Sequence, residues 1–168
     1  MTDPGHSLDD DAAARAGVGI LTVSDTRTAE TDRGGDLAAA LAAEAGHAVV
    51  RRALVPDDER RIAETLRQWI DLGLDLVITT GGTGIMRRDV TPEAVRPLLD
   101  RELPGFSAAL ALLSLEDVGP RALLGRALMG AAGRTLVAVL PGSPPAVRLA
   151  MTRLILPLVP HALRELRR

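Results

Sequence analysis

Two aspartates and a cluster of glycines hold most of the chemistry this sequence offers. The stretch VITTGGTGIMRRDVTPEA, residues 77–94, runs from apolar residues into Gly81, Gly82 and Gly84, with Thr80 and Thr83 between and before them. Glycines leave backbone amides open to a ligand, and threonines add hydroxyl donors, a combination suited to phosphate or another anion. The same residues also suit a tight strand-to-helix turn with glycines at positive φ. Their spacing is neither the dinucleotide pattern G-x-G-x-x-G nor a Walker loop. Asp89, beside Arg87 and Arg88 and two residues before Thr91, can serve a ligand at the start of a helix or pair with a neighbouring arginine. Asp57 can serve a ligand or cap a helix over 58–71. Taken together, two carboxylates beside one glycine nest can hold Mg²⁺ against a polyphosphate, because magnesium takes one or two carboxylates and completes its shell with phosphate oxygens. Ser24 and Asp25 stand either at a ligand or in an ordinary strand-end turn. Pro141, Gly142 and Ser143 present amides and a hydroxyl at a helix start that Pro144 and Pro145 also initiate.

Composition narrows the chemistry further. All 20 basic residues are arginine, so a Walker lysine, a Schiff base and a lysyl-nucleotide intermediate are excluded. There is no cysteine, which removes disulfides, thiolate metal sites and thiol nucleophiles. His6, His47 and His161 lie far apart and show no ligand spacing. A net charge of -2 with a single Trp and a single Phe argues against a nucleic-acid groove. No stretch reads as a membrane span and the acidic N-terminus lacks a signal-peptide core, so a cytoplasmic protein is expected.

These groups need a scaffold that brings distant loops together. Residues 1–16 are polar and unpatterned and read as a loose arm, leaving one domain over 17–168. Strands are predicted at 18–24, 47–55, 74–80 and 135–140. Helices are predicted at 37–46, closed by Gly46, at 58–71, and from Thr91 as N-cap with a kink at Pro97. Further helices are expected over 105–119 and after the PGSPP segment, where Pro157 and Pro160 frame a last short helix. The run LDLVITT is apolar on both faces, as a central parallel strand requires. Alternation of strands and helices implies an α/β fold, a three-layer α/β/α sandwich on a mostly parallel sheet with Rossmann-like layering. Ligands in such sheets sit beyond the carboxyl ends of the strands, where SDTRT, VPDD, TTGGTGIMRRD and LPGSPP all fall.

In this order and spacing, LTVSDTRTAETDRGG, LVPDD, TTGGTGIMRRDVTPEA, LLDRELPGF, LSLEDVG and LPGSP resemble the MoaB/Mog family of molybdenum-cofactor biosynthesis proteins, over residues 18–163. LSLEDVG is closer to the MoaB branch. The resemblance implies an α/β fold that binds molybdopterin and, in active members, a Mg²⁺-dependent transfer of AMP from ATP to the pterin's terminal phosphate, with release of pyrophosphate. It also implies a homo-oligomer, a trimer or hexamer, and transfer of the product to a separate molybdenum-inserting enzyme. By motif match the family's functional aspartates fall on Asp57 and Asp89, and its glycine-rich loop on Thr80 to Gly84. Gly34, Met86 and Gly125 depart from the family pattern, which favours serine, proline or threonine, and serine at those places. The alternatives are a molybdopterin-binding or scaffolding protein without turnover and, opposed by the missing G-x-G-x-x-G, a nucleotide-binding oxidoreductase.

Overall fold

The computed structural model describes residues 15–168. Most of the arm expected at 1–16 lies outside them. Ala16 is buried, and its N–H donates to His47 Nδ1 at 3.3 Å.

Six strands form one sheet in the order β2-β1-β3-β6-β5-β4. Four of them are parallel: β1 (Gly17–Val23), β2 (Ala48–Val55), β3 (Leu76–Thr80) and β6 (Thr135–Leu140). Every residue of β3 and β6 is buried, which is why neither carries a charged residue and both are mostly apolar. Two strands went unforeseen. β5 (Leu128–Ala132) returns antiparallel to β6, and the short β4 (Arg101–Glu102) pairs with it. The sequence LMGAA hid β5 because three of its five residues are small. Gly130 belongs there because the Arg101 carbonyl oxygen would stand 2.5 Å from a Cβ at that position.

Helices cover both faces. On one, α1 (Arg33–Glu44), α4 (Pro104–Val118), α5 (Pro144–Ala150) and α6 (Leu156–Arg167) bury Leu41, Phe106, Leu110, Val147, Val159 and Leu163 against Ile20, Ile78 and Ala138. On the other, α2 (Glu59–Asp71) and α3 (Thr91–Val95) pack Ile62, Leu66, Trp69 and Val95 against Leu21, Val77 and Val139. Alternate residues of β1, β3 and β6 thus feed two cores. Truncating a fully buried residue such as Ile78 to alanine costs roughly 2–5 kcal/mol.

Several element ends differ from the sequence expectation. α1 begins at Arg33 rather than 37, capped by Asp32, whose Oδ1 accepts from Gly35 N–H at 2.9 Å. Val90, not Thr91, occupies the N-cap of α3. The kink expected at Pro97 appears as a 3₁₀ turn over Arg96–Leu98. The last short helix does not stand alone, because α5, a π-helical turn over Met151–Ile155 and α6 form one run of 24 residues. That run is long and apolar enough to cross a membrane by length and composition, but its apolar stripe of Val147, Met151, Ile155 and Val159 is core.

Candidate functional site

From β1 the chain crosses to β2 on one side, and β3 adds on the other. The topological switch therefore lies between β1 and β3, where open α/β sheets bind ligands. The loops that follow β1, β2, β3 and β6 meet there around a crevice of about 660 Å³.

The glycine loop is a tight turn that leaves several amides open. Gly81 and Gly82 have φ of 98° and 65°, and a Cβ on either would collide, with Val23 O and with Thr91 Oγ1 respectively. Thr91 ties the turn to α3, its hydroxyl donating to Gly81 O at 2.9 Å and its N–H to Gly82 O at 3.1 Å. Gly81 N–H is spent on Leu140 O at 2.9 Å. Beyond it, no acceptor among the described residues takes the N–H of Gly82, Thr83 or Gly84, and all three residues line the crevice. Open amides at this point are what an anion needs. Thr80 does not join them: it is fully buried, and its hydroxyl points to Thr22 Oγ1 at 3.5 Å.

Adjacent aspartates divide their roles after β2. The cap of α2 is Asp58, whose Oδ1 accepts from Arg61 N–H at 2.9 Å. Asp57 is thereby released from the capping role that sequence also allowed, and it lines the crevice. It is clasped to the β1 loop by two reciprocal bonds, Asp25 N–H to Asp57 Oδ2 at 3.1 Å and Asp57 N–H to Asp25 Oδ1 at 2.9 Å. Partial burial, and then the facing Asp25 carboxylate, push the Asp57 carboxyl above its ordinary value, with the bond from Asp25 N–H and the Arg88 charge opposing and Asp89 adding slightly to the rise. Asp89 lines the same crevice, and its Oδ2 accepts from Met86 N–H at 2.9 Å. A proline at 86 would have no such proton to give. The Asp89 carboxylate folds back over Gly84, close enough that a Cβ there would lie 2.6 Å from Oδ2.

Ser24 lines the crevice and also builds the turn, its Oγ accepting from Thr26 N–H at 3.2 Å and Arg27 N–H at 3.1 Å. Pro141, Gly142 and Ser143 close the opposite rim. The rim sits tight on α1, since a Cβ on Gly34 would stand 2.7 Å from Gly142 O. Gly125 is more tolerant, its nearest neighbour 3.4 Å from a built Cβ. Arg27 and Arg121, not expected at the site, and Arg88, expected only as a pairing partner of Asp89, all line the crevice. The signal available for Arg88 was its place beside Asp89, whereas Arg121 arrives from a 3₁₀ turn over Gly119–Leu124 that no motif marks. A second cavity of about 400 Å³ opens beside the first, between the end of α4 and the start of α5. It shares Thr83, Gly84, Arg121, Pro141 and Ser143 with the first, and Val118, Leu124, Pro145 and Leu149 make its walls apolar.

Residues 19–161 match the family model described as "Probable molybdopterin binding domain". The chain belongs to the molybdenum cofactor biosynthesis protein B (MoaB) family. Over 150 residues it is 51% identical to molybdenum cofactor biosynthesis protein B of Staphylococcus carnosus, covering 88% of each chain. Identity to the protein of the same name from Bacillus cereus is 49% over 151 residues, 89% of each chain. The crystal structure of a molybdenum cofactor biosynthesis protein B superposes with a TM-score of 0.89 at 46% identity, over 92% of this chain and 97% of the other. The tungsten cofactor synthesizing protein MoaB from Pyrococcus furiosus gives 0.81 at 36% identity, over 92% and 98%. MoaB-family membership thus agrees with the sequence resemblance in both fold class and pathway.

Proposed function

We propose that the protein transfers AMP from ATP to the terminal phosphate of molybdopterin. A phosphate oxygen of the pterin attacks the α-phosphorus of ATP, the bond from that phosphorus to the bridging β-oxygen breaks, and pyrophosphate leaves with the electron pair. The observation that carries this reading is the meeting of Asp57 and Asp89 with the open amides of Gly82, Thr83 and Gly84 in one crevice. Arg27, Arg88 and Arg121 add positive charge around it. In-line phosphoryl chemistry asks the protein for positioning and charge stabilisation, and a chain without lysine or cysteine can supply both.

Mg²⁺ suits the donors present. Among the described residues no group of three or more His, Cys, Asp or Glu forms a metal cage, and Mg²⁺ characteristically uses one or two carboxylates and takes its other ligands from phosphate and water. Asp57 and Asp89 would hold it, and the ion would supply neutralisation of the polyphosphate. The polar crevice fits the phosphates, and the adjoining apolar cavity fits a flat heterocycle. Gly82–Gly84 amides and Ser143 orient the phosphates, and the arginines draw charge away from the attacked phosphorus.

A homo-oligomer, trimer or hexamer, accords with Leu112 on α4 and Leu123 in the 3₁₀ turn after it, both exposed and outside the two cavities. The adenylylated product would pass to a molybdenum-inserting enzyme. Pyrophosphate release that requires molybdopterin and MgATP together, and that falls sharply in Asp89→Asn, is the expected result. A wild-type protein that binds molybdopterin while leaving ATP intact would be the binding or scaffolding protein instead.

A further inference from the structure

We infer that Arg126 is a positioning residue: its guanidinium holds residues 84–89 in the curve that sets Asp89 and the open amides of the glycine loop against the crevice. The adenylyl-transfer reading above supplies the reaction that this loop serves, whereas the loop geometry stands without it.

Arg126 lies between the 3₁₀ turn and β5, far in sequence from the loop it grips. Its Nε donates to Gly84 O at 2.8 Å and its Nη2 to Asp89 O at 2.6 Å. One rigid fork therefore pins both ends of the segment that carries Asp89, a geometry the single ammonium of lysine does not reproduce. Its backbone N–H adds a third tie, to Thr83 O at 2.8 Å. Between the pinned ends, residues 85–88 are exposed and belong to no helix or strand. Their inner order consists of Asp89 N–H on Met86 O and Met86 N–H on Asp89 Oδ2, each 2.9 Å. The second of these is the bond that orients the Asp89 carboxylate, so a loop that slackens at its ends loosens that carboxylate.

Arg126 lines neither cavity, which sets it apart from Arg27, Arg88 and Arg121. Its charge is already met by Glu93, the glutamate of TPEA, through an ion pair from Nη1. That hydrogen bond holds the Glu93 carboxyl below its usual range. A guanidinium so engaged acts on the site through the backbone of residues 83–89 and not by touching phosphate.

The test combines amide hydrogen exchange with steady-state kinetics on the full chain, for wild type, Arg126→Gln and Arg126→Lys. Both variants should exchange the Met86 and Asp89 amides at least about tenfold faster than wild type, with the amides of β3 unchanged. With molybdopterin and MgATP as substrates, kcat should fall roughly 10- to 100-fold, the scale set by small misplacements of reacting groups, while KM changes much less. Wild-type exchange at Met86 and Asp89 in Arg126→Gln, or full recovery by Arg126→Lys, would overturn the assignment. A wild-type protein that releases no pyrophosphate would sink the adenylyl-transfer reading while leaving the exchange comparison to decide the role of Arg126. Should Arg126→Gln fail to fold, Arg126→Lys, which keeps the charge and most of the stem, carries both readouts.

Discussion

Asp57 and Asp58 are neighbours of identical chemistry, one lining the crevice and the other capping α2, and replacing them one at a time separates the proposed site role from a scaffold role. Asp58 caps α2 through Arg61 N–H. Removing it in Asp58→Ala should cost about 1 kcal/mol, equivalent to a fall of about 2–4 °C in Tm for a domain of this size, with adenylyl transfer near normal. Asp57→Asn keeps an oxygen to accept from Asp25 N–H but removes a charge that burial and the Asp25 carboxylate already disfavour. Its Tm should therefore hold or rise slightly. Its turnover should drop about a hundredfold, corresponding to roughly 2.7 kcal/mol of lost transition-state stabilisation. Differential scanning calorimetry and pyrophosphate release on the same two preparations decide the matter. A destabilised but active Asp57→Asn, together with an inactive Asp58→Ala of normal stability, would refute the assignment of roles.

Other substitutions probe the loop from different sides. Gly84 has no positive φ, and a methyl there meets the movable end of Asp89 at 2.6 Å from Oδ2; Gly84→Ala should leave Tm within about 2 °C of wild type and lower kcat about tenfold, as measured by calorimetry and pyrophosphate release. Gly82→Val should instead register mainly as lost stability, by roughly 1–3 kcal/mol in denaturant unfolding, because Gly82 combines a φ of 65° with the close approach of Thr91. The raised Asp57 carboxyl gives a pH signature: as pH falls through its folded value the group takes up a proton, so Mg²⁺-dependent binding is lost at a higher pH than for an ordinary aspartate. The sign for stability is opposite, since a carboxyl with a raised folded pKa binds its proton more tightly when folded and its contribution improves toward acid. Asp25→Asn removes one cause of the shift and should move the acid limb of a MgATP titration to lower pH.

Much of the scaffold was legible because its periodicity is strong. The buried runs of β3 and β6, the Ile62-Leu66-Trp69 face of α2 and the terminating Gly46 and Gly73 all announce themselves locally. What failed to show was decided by contacts distant in sequence. Gly34 and Gly35 read as loop because glycine is a poor helix former, yet they begin α1 where Gly142 O and the Asp32 carboxylate come too close for a side chain. Thr91 looks like a cap in sequence, but its hydroxyl is claimed by Gly81 O. That the glycine loop, Asp57 and Asp89 would line one crevice was readable because their residue types are unusual at strand ends. Arg126 was not, since nothing local distinguishes an arginine whose side chain bonds two carbonyls and a carboxylate 33 to 42 residues away from one that faces solvent.

The most direct test of the central claim is the fate of molybdopterin itself. Incubated with the protein and MgATP and analysed by mass spectrometry, the pterin should gain one AMP on its terminal phosphate, with pyrophosphate appearing in equal amount. Recovery of bound but unmodified molybdopterin, with ATP intact, would contradict the assignment of Asp57, Asp89 and the glycine loop to adenylyl transfer.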